Sequence, residues 1–217
     1  MNIRLWALLA ALLVACGGIS WWLSQQQNRP EREAIKVPEN LDQMANPKPV
    51  KLKTSTLRPG RVVVLNTNRG KIEFVLYEKD CPTTTARIAK LVQSGAYGGV
   101  GFPRAEPWVI QTDPANEEVD GMAIEVAKGL LFDEGSVGMA HAGDPNSNTS
   151  VFFIALKPSH HLDLKFTDFG RVISGMEVAR KIAVGDQIIT ATLRPFSDSD
   201  RKRLDGLLKT TAKPKSQ

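Results

Sequence analysis

Cysteine and histidine are scarce in this 217-residue chain, which contains two cysteines and three histidines. Cys16 lies in an apolar N-terminal run and Cys81 precedes a predicted helix, and neither belongs to a CxxC pair. The adjacent His160 and His161 point apart on an extended chain, so together with Asp163 they do not predict a metal site. The sequence therefore predicts no disulfide framework, no metal and no cofactor.

A concentration of positive charge is missing from the centre of the chain, although the whole carries a net charge of +5. Residues 1–60 contain eight Lys/Arg against four Asp/Glu, and residues 194–217 contain seven against three. Residues 61–193 contain thirteen against sixteen and are slightly acidic. A protein that binds nucleic acid concentrates basic and aromatic residues on its folded face, so this distribution excludes a nucleic-acid partner. Basic flanks suit solvation or weak attraction to an anionic membrane surface.

Residues 1–23 contain an apolar run of nineteen residues that begins after Arg4. This length can span the hydrocarbon core of a bilayer, and Trp21 and Trp22 suit the membrane interface. Three interpretations stay open: an uncleaved membrane anchor, a lipoprotein lipidated at Cys16, whose L-V-A-C sequence resembles a lipobox, and a cleaved export signal. Hydrophobicity continues past Cys16, which favours the anchor. All three interpretations place the rest of the chain outside the cytoplasm.

Composition divides the remaining chain into three parts. Residues 24–59 are rich in Gln, Pro and charged residues and cannot bury enough apolar surface to fold. They are predicted to form a linker that the prolines stiffen. Residues 60–193 alternate apolar runs with turn residues and predict one folded domain. Residues 194–217 form a polar, basic tail, in which a frayed helix is predicted at 198–208.

A hairpin and a helix open the predicted domain. Residues 62–65 and 71–77 are strands, the second with alternating apolar residues, and the turn between them contains Gly70. Residues 82–93 carry Ala, Ile, Leu and Val at helical spacing after Pro82, which predicts a helix. Two further elements complete the domain: a second helix at 176–182 and a closing strand at 187–193.

Residues 138–156, GMAHAGDPNSNTSVFFIAL, place a polar loop between two apolar ends. The loop at 142–149 consists of residues that favour turns held by their own side-chain hydrogen bonds. Residues 151–156 are six consecutive apolar residues bounded by Pro158 and predict a buried strand. A loop of fixed shape between two interior strands predicts the wall of a rigid groove.

The order M-A-x-A-G-D-P-N-S-x-x-S-x-F-F-I at 139–154 resembles the signature of cyclophilin-type peptidyl-prolyl isomerases, in its bacterial form. Residues 162–172 resemble the family's L-D-x-K-x-T-x-F-G-R-V, and residues 95–113 resemble the family segment that carries its catalytic arginine. The resemblance covers about residues 60–193. It implies a mainly β fold, a closed eight-stranded antiparallel barrel capped by two helices, with an N-terminal membrane helix and linker before it.

The resemblance also implies the site residues, with Arg104 at the position of the catalytic arginine. The chain departs from the family at Pro103, where His is usual, and at Val151, where Gln is usual. His161 stands where many eukaryotic members have a Trp that contacts cyclosporin, which predicts weak cyclosporin binding. One residue is missing between Arg104 and Trp108. The implied substrate-binding residues are Phe102, Trp108, Val109, Gln111, Ala140, His141, Phe153, Leu162 and Phe166.

Rotation about an Xaa-Pro amide requires loss of resonance, and no nucleophile, metal or proton relay is needed. A donor aimed at the prolyl nitrogen stabilises the twisted state, and an arginine is always charged. We therefore predict a monomeric peptidyl-prolyl cis-trans isomerase that acts on proline-containing segments of unfolded or exported proteins. Its predicted location is the bacterial inner membrane, with the domain in the periplasm, or a lipoprotein held through Cys16. The alternative is a catalytically weak proline-peptide binding or scaffold module on the same fold.

Overall fold

The computed structural model describes residues 60–127 and 129–211. In chain order the elements are β1 (Arg61–Thr67), β2 (Gly70–Leu76), α1 (Pro82–Gln93), β3 (Arg104–Glu106), β4 (Val109–Gln111), β5 (Ser136–Met139), β6 (Phe152–Ala155), a 3₁₀ turn (His160–Leu162), β7 (Asp168–Ser174), α2 (Met176–Ala179), β8 (Ile188–Pro195) and α3 (Asp198–Thr211).

Strands β1 and β2 form the predicted hairpin. They pair antiparallel from Val62 opposite Val75 to Thr67 opposite Gly70. Gly70 has a φ of 132°, a conformation that glycine adopts because it has no Cβ. The Thr67 hydroxyl donates to the Gly70 carbonyl at 2.7 Å and fixes the turn. Alternating apolar residues along the strand and a glycine in the turn are therefore sufficient to specify this hairpin.

Within the described residues eight strands form one antiparallel sheet, in the order β3-β4-β6-β5-β7-β2-β1-β8. The sheet curls, but β3 and β8 do not pair, which corrects the prediction of a fully closed barrel. The segment just before β3 instead meets the start of β8 and the residues that lead into it. Gly99 N donates to Ile188 O at 2.7 Å, Ile188 N to Val100 O at 2.8 Å, and Phe102 N to Asp186 O at 3.0 Å. β3 itself has three residues and pairs with β4 on one side.

The main core fills the inside of the curl, and Phe152 lies at its centre. The Phe152 ring packs against Phe74 at 5.9 Å and edge-on against Tyr97 at 5.4 Å, between ring centroids. The buried Tyr97 hydroxyl donates to the Ser150 carbonyl at 2.7 Å, which satisfies a polar group that would otherwise be costly to bury. Side chains alternate between the two faces of a strand, so Phe153 points to the opposite face of β6.

Helix α1 begins at Pro82, as predicted, and closes one end of the core with Ile88 and Leu91. Its first turn is capped from a distant part of the chain. The Glu125 carboxylate accepts the backbone N–H groups of Thr83 at 3.0 Å and Thr84 at 2.6 Å. A carboxylate at this position accepts from two N–H groups that have no partner within the helix. Its negative charge also interacts favourably with the positive end of the helix dipole.

The chain beyond the predicted boundary at 193 is folded onto the sheet. Ser197 and Asp200 form a capping box at the start of α3: Ser197 N donates to the Asp200 carboxylate at 2.9 Å, and Asp200 N donates to the Ser197 hydroxyl at 3.3 Å. Arg194 on β8 binds both Asp200, at 2.6 Å, and Glu73, at 2.6 Å. Leu204 of α3 is fully buried on the outer face of the sheet. The predicted frayed helix is therefore a packed element, whereas α2 ends at Ala179, earlier than predicted.

Candidate active site

A row of residues crosses four neighbouring strands and places Arg104 beside the apolar part of the site. Arg104 on β3 pairs with Gln111 on β4, Gln111 pairs with Phe153 on β6, and Phe153 pairs with Gly138 on β5. Residues directly opposite one another in an antiparallel sheet project from the same face. Arg104, Gln111 and Phe153 therefore share the outer face of the sheet, away from the main core.

An apolar cluster of four buried and three partly buried side chains covers this face. The Phe153 ring stacks on Phe132 at 5.5 Å and meets Phe166 edge-on at 5.9 Å. These are favourable arrangements for aromatic pairs, and they fix the floor of the recess. The buried members are Val109, Phe132, Phe153 and Leu162, and Trp108, Ala140 and Phe166 pack against them.

Arg104, Glu106 and Trp108 form a connected polar group at the edge of the cluster. The Arg104 Nε donates to one Glu106 carboxylate oxygen at 2.7 Å, and the Trp108 indole N–H donates to the other at 2.7 Å. The Arg104 Cζ lies 5.1 Å from the centroid of the Trp108 ring, within the range of a cation–π interaction. The hydrogen bond from Arg104 lowers the pKa of Glu106, so the carboxylate stays ionised at neutral pH.

The missing residue between Arg104 and Trp108 falls in the loop that joins β3 to β4. Glu106 pairs with Val109, so the loop contains only Pro107 and Trp108. Arg104 still pairs with Gln111, at the end of the β3–β4 hairpin away from the loop. A shorter turn therefore leaves the predicted catalytic and substrate-binding positions opposite each other.

His141 is held by ring stacking and by one hydrogen bond. Its imidazole lies 4.3 Å from the Phe166 ring at an interplanar angle of 18°, and its Nε2 lies 3.0 Å from the Lys165 carbonyl oxygen. Since a carbonyl only accepts, Nε2 donates this hydrogen bond, and Nδ1 is then the acceptor of the neutral imidazole. Within the described residues Nδ1 is buried without a hydrogen-bond partner. The site thus contains one unused acceptor beside the aromatic cluster.

Backbone hydrogen bonds lock the segment 156–166 against the rest of the site. Leu156 N donates to Trp108 O at 2.7 Å, and Ser159 N donates to Phe132 O at 2.7 Å. Phe132 N donates to the Asp163 carboxylate at 2.7 Å. These contacts hold the segment that carries Leu162 and Phe166 to the segments that carry the opposing rings. The recess is therefore preformed rather than assembled from free loops.

The loop at 142–149 is held as its composition predicts. The Asp144 carboxylate accepts from Asn146 N at 2.8 Å, and the Ser147 hydroxyl donates to the Asp144 carbonyl at 2.7 Å. The Asn148 side-chain amide donates to the carbonyls of Pro145 at 2.8 Å and Met122 at 3.0 Å. Side-chain hydrogen bonds of this kind replace regular backbone pairing and give an irregular loop one shape.

The structure brings together nine of the ten predicted site residues and leaves one apart. Phe102 is 1% exposed and belongs to the main core inside the curl, because it lies two residues before Arg104, outside β3. Sequence reasoning missed Phe132, which stacks on Phe153, and Glu106, which binds Arg104. The sequence signal available for Glu106 was its position two residues after Arg104, which places both side chains on one face of a strand. No local signal separates Phe132 from an ordinary core residue.

The residues of the site limit its chemistry. Within residues 60–127 and 129–211 no group of three His, Cys, Asp or Glu side chains could hold a metal ion. Cys81 is buried, and burial raises the pKa of its thiol, so it is no nucleophile. What remains is a fixed cation and an amide beside an apolar recess. These features define a curled antiparallel β fold whose site can hold an apolar ring and donate hydrogen bonds beside it.

Comparison with known proteins agrees with this class. The family model described as "Cyclophilin type peptidyl-prolyl cis-trans isomerase/CLD" matches residues 62–197. The chain belongs to the cyclophilin-type peptidyl-prolyl cis-trans isomerase family. It is 39% identical over 135 residues to peptidyl-prolyl cis-trans isomerase ppi1 of Schizosaccharomyces pombe, a match that covers 56% of this chain and 84% of that protein.

Two further relatives extend the comparison. Peptidyl-prolyl isomerase CWC27 of Cryptococcus neoformans is 32% identical over 152 residues, covering 65% of this chain and 31% of that protein. A Cryptosporidium parvum cyclophilin type peptidyl-prolyl cis-trans isomerase, crystallised in the presence of the dipeptide Ala-Pro, has a TM-score of 0.56 and 25% identity. That match covers 63% of this chain and 99% of the crystallised chain.

The relatives correct the predicted location in a bacterial inner membrane with a periplasmic domain, which is wrong. The relatives from Schizosaccharomyces pombe and Cryptococcus neoformans are eukaryotic, and no helix in the described part of the chain has the length and apolar character that crossing a bilayer requires. Hydropathy shows that a segment can enter a membrane, not which membrane or organism it belongs to. The anchor predicted at 1–23, the lipidation predicted at Cys16 and the linker predicted at 24–59 lie outside the described residues.

Proposed function

We propose that this chain is a peptidyl-prolyl cis-trans isomerase that acts on Xaa-Pro bonds in extended peptide segments. One observation carries the proposal: the Arg104 guanidinium lies over Trp108 at the edge of the aromatic cluster, in the cross-strand row that contains Gln111 and Phe153. The reaction requires this combination, because the proline ring needs an apolar recess while its nitrogen needs a hydrogen-bond donor.

Arg104 is proposed to act on the prolyl nitrogen. The planar amide resists rotation with a barrier of about 18–20 kcal/mol, because its nitrogen lone pair is delocalised. As the bond twists, the nitrogen becomes pyramidal and regains a lone pair that can accept a hydrogen bond. The Arg104 Nε is bound to Glu106, so the terminal Nη groups are the donors available. A contribution of about 3 kcal/mol from such a donor would raise the rate more than 100-fold.

The aromatic cluster is proposed to hold the proline ring, and two polar groups to hold the peptide backbone. Phe153, Phe132 and Leu162 are at most 9% exposed, so a ring that packs on them leaves water. Gln111 can donate and accept through its amide, and His141 Nδ1 can accept a backbone N–H. Both lie beside the recess, so they can orient the peptide without taking part in bond rotation.

The proposed clients are unfolded or extended chains with an exposed proline, because the Xaa-Pro bond has to reach Arg104 while its ring packs on the aromatic cluster. Exported proteins are no longer the proposed clients, since that restriction depended on the location corrected above. All residues of the proposed site belong to one chain, and we propose that a single copy is sufficient for activity.

A catalytically weak proline-peptide binding module is the second candidate. Two observations favour it: Glu106 occupies the Nε of Arg104, and Val151 offers no polar group where the family usually has Gln. A groove of this kind would still bind proline-containing peptides through the aromatic cluster. Turnover separates the two functions, since binding is common to both.

The test is an isomerisation assay on an Ala-Pro peptide with the wild type, Arg104→Ala and Arg61→Ala. Arg61 is a matched control, because its Nε also binds a glutamate, Glu78, and its side chain is 37% exposed against 42% for Arg104. We expect kcat/KM to fall at least tenfold in Arg104→Ala and to stay unchanged in Arg61→Ala. Equal turnover by wild type and Arg104→Ala would support the binding module instead.

A further inference from the structure

Glu106 contacts the side chain of Arg104, the proposed catalytic arginine, and the family resemblance assigns Glu106 no role. Its two carboxylate oxygens accept hydrogen bonds from two different side chains, Arg104 and Trp108, both at 2.7 Å. The same two side chains touch each other, with the guanidinium carbon 5.1 Å from the indole centroid. The three groups therefore form a closed triangle of contacts, which differs from an ordinary exposed ion pair.

The triangle stands on a rigid piece of backbone. Arg104 and Glu106 are two residues apart on β3 and project from one face, and Trp108 lies in the two-residue loop that leads to β4. All three residues of β3 pair with β4, from Arg104 opposite Gln111 to Glu106 opposite Val109. The Trp108 ring also packs edge-on against the His161 ring, at 5.3 Å between centroids.

Fixing the Nε of an arginine fixes the plane of the whole guanidinium, because its three nitrogens are coplanar. Contact with the Trp108 face restricts the same group from the perpendicular direction. A free arginine side chain loses rotamer entropy when it is ordered. In this protein that ordering occurs before the peptide binds.

We propose that Glu106 is a positioning residue that holds the Arg104 guanidinium in its reactive orientation through Nε and leaves the Nη groups for the prolyl nitrogen. The proposal rests on the proposed isomerase function. It goes beyond that function because it assigns the orientation of the arginine to one carboxylate.

The negative charge of Glu106 opposes the positioning effect, since it partly cancels the cation. The two effects differ in how solvent alters them. The side chains of Arg104 and Glu106 are each 42% exposed, so water and salt screen their charges, whereas the lost rotamer freedom of Arg104 is not screened. Positioning therefore outweighs charge cancellation, and removal of the carboxylate lowers the rate.

The test combines kinetics with NMR on four variants, Glu106→Ala, Glu106→Gln, Arg104→Ala and Glu78→Ala, and uses a fifth, Trp108→Phe, for NMR assignment. Glu78→Ala is the matched control, because it removes the glutamate from the Nε of Arg61 outside the site. For Glu106→Ala we expect kcat to fall roughly three- to tenfold with little change in KM, as for an interaction used in the transition state. Glu106→Gln accepts only one of the two hydrogen bonds and is expected between wild type and Glu106→Ala.

A spectroscopic signature accompanies the rate. In the wild type the Arg104 Nε–H and the Trp108 indole N–H each give a resonance shifted by the hydrogen bond to the carboxylate, and Trp108→Phe assigns the indole signal. Both shifts are expected to disappear in Glu106→Ala and to persist in Glu78→Ala. A purely structural role for Glu106 would lower the melting temperature without separating kcat from KM.

The outcomes distinguish the two proposals. If the wild type is active and Arg104→Ala is not, but Glu106→Ala matches the wild type in kcat, the positioning role is wrong and the isomerase function stands. If the two resonances are unchanged in Glu106→Ala, the positioning role is also wrong. A wild type without turnover overturns the isomerase function and the positioning role together.

Discussion

Gly138 on β5 faces Phe153 on β6, and the two residues leave no space for a side chain between them. A Cβ placed on Gly138 would overlap the Phe153 ring and lie 2.7 Å from Cε1 of Phe132. These two rings form the floor of the aromatic cluster, so the glycine is required for the shape of the recess and not for a turn.

Gly138→Ala is therefore expected to push both rings out of place. Overpacking of a tight site costs about 1–3 kcal/mol, and we expect a loss of unfolding free energy of that size in urea. We also expect kcat/KM to fall at least tenfold, since the displaced rings narrow the proline recess. Gly206→Ala in α3 is the control: a Cβ there meets no described atom within 4 Å, and alanine should stabilise the helix by up to about 1 kcal/mol. Retention of full activity in Gly138→Ala would show that the recess does not receive the proline.

Asp168 on β7 makes stability depend on pH near neutrality. Burial raises its pKa to about 7, against the opposing effect of Arg171, and its Oδ1 has no hydrogen-bond partner within the described residues. In the unfolded chain an aspartate titrates near pH 3.9. Between these two pH values the native state therefore holds a proton that the unfolded state has released. The contribution of this group to the free energy of unfolding is fully present below about pH 4 and is lost as pH rises through about 7.

Asp168→Asn removes this titration and keeps the shape of the side chain. We compare the free energies of unfolding of Asp168→Asn and wild type. As pH rises from 4 to 8, the difference should shift in favour of the variant by on the order of 2–4 kcal/mol. Urea unfolding at several pH values measures it. Parallel stability curves for Asp168→Asn and wild type would contradict the buried titration.

Arg194 on β8 binds two carboxylates, Asp200 of α3 and Glu73 of β2. Asp200 is 1% exposed, and the hydrogen bonds from Arg194 hold its pKa well below the usual range. Removal of one partner of a buried ion pair leaves an uncompensated charge and costs about 3–5 kcal/mol. We expect Arg194→Leu to lose about 2–4 kcal/mol and to release α3, which hydrogen exchange of the helix amides would detect. Arg203→Leu on the same helix is the control. Unchanged protection of α3 in Arg194→Leu would refute the clamp.

His161 packs edge-on against Trp108 at the rim of the site, at the position where the family resemblance places a cyclosporin-contacting Trp. We expect weak cyclosporin binding by the wild type and roughly tenfold tighter binding by His161→Trp, since an added indole contact is worth about 1 kcal/mol or more. Isothermal titration measures both proteins. His160→Trp, one residue earlier, is the control and should leave the affinity unchanged.

The local sequence was sufficient for the elements whose pattern lies within a few residues. The β1–β2 hairpin follows from alternation and Gly70, helix α1 follows from Pro82 and the apolar spacing after it, and the loop at 142–149 follows from its turn residues. The motif around Phe153 was sufficient to predict the family. The end of the fold was missed, although the spacing of Ser197 and Asp200 is a capping box that sequence reasoning could have used.

The amino-acid sequence by itself determined the family, the opening hairpin and the first helix, because these depend on residue type and short spacing. Only the tertiary structure decided which face of the sheet each aromatic residue occupies, so that Phe132 joins the recess and Phe102 joins the core. It alone also decided that Glu125 caps α1, that Arg194 clamps α3 and that Glu106 binds Arg104 and Trp108 together. Such contacts depend on how distant or loop-separated side chains meet in space, and strand pairing and curl set those distances.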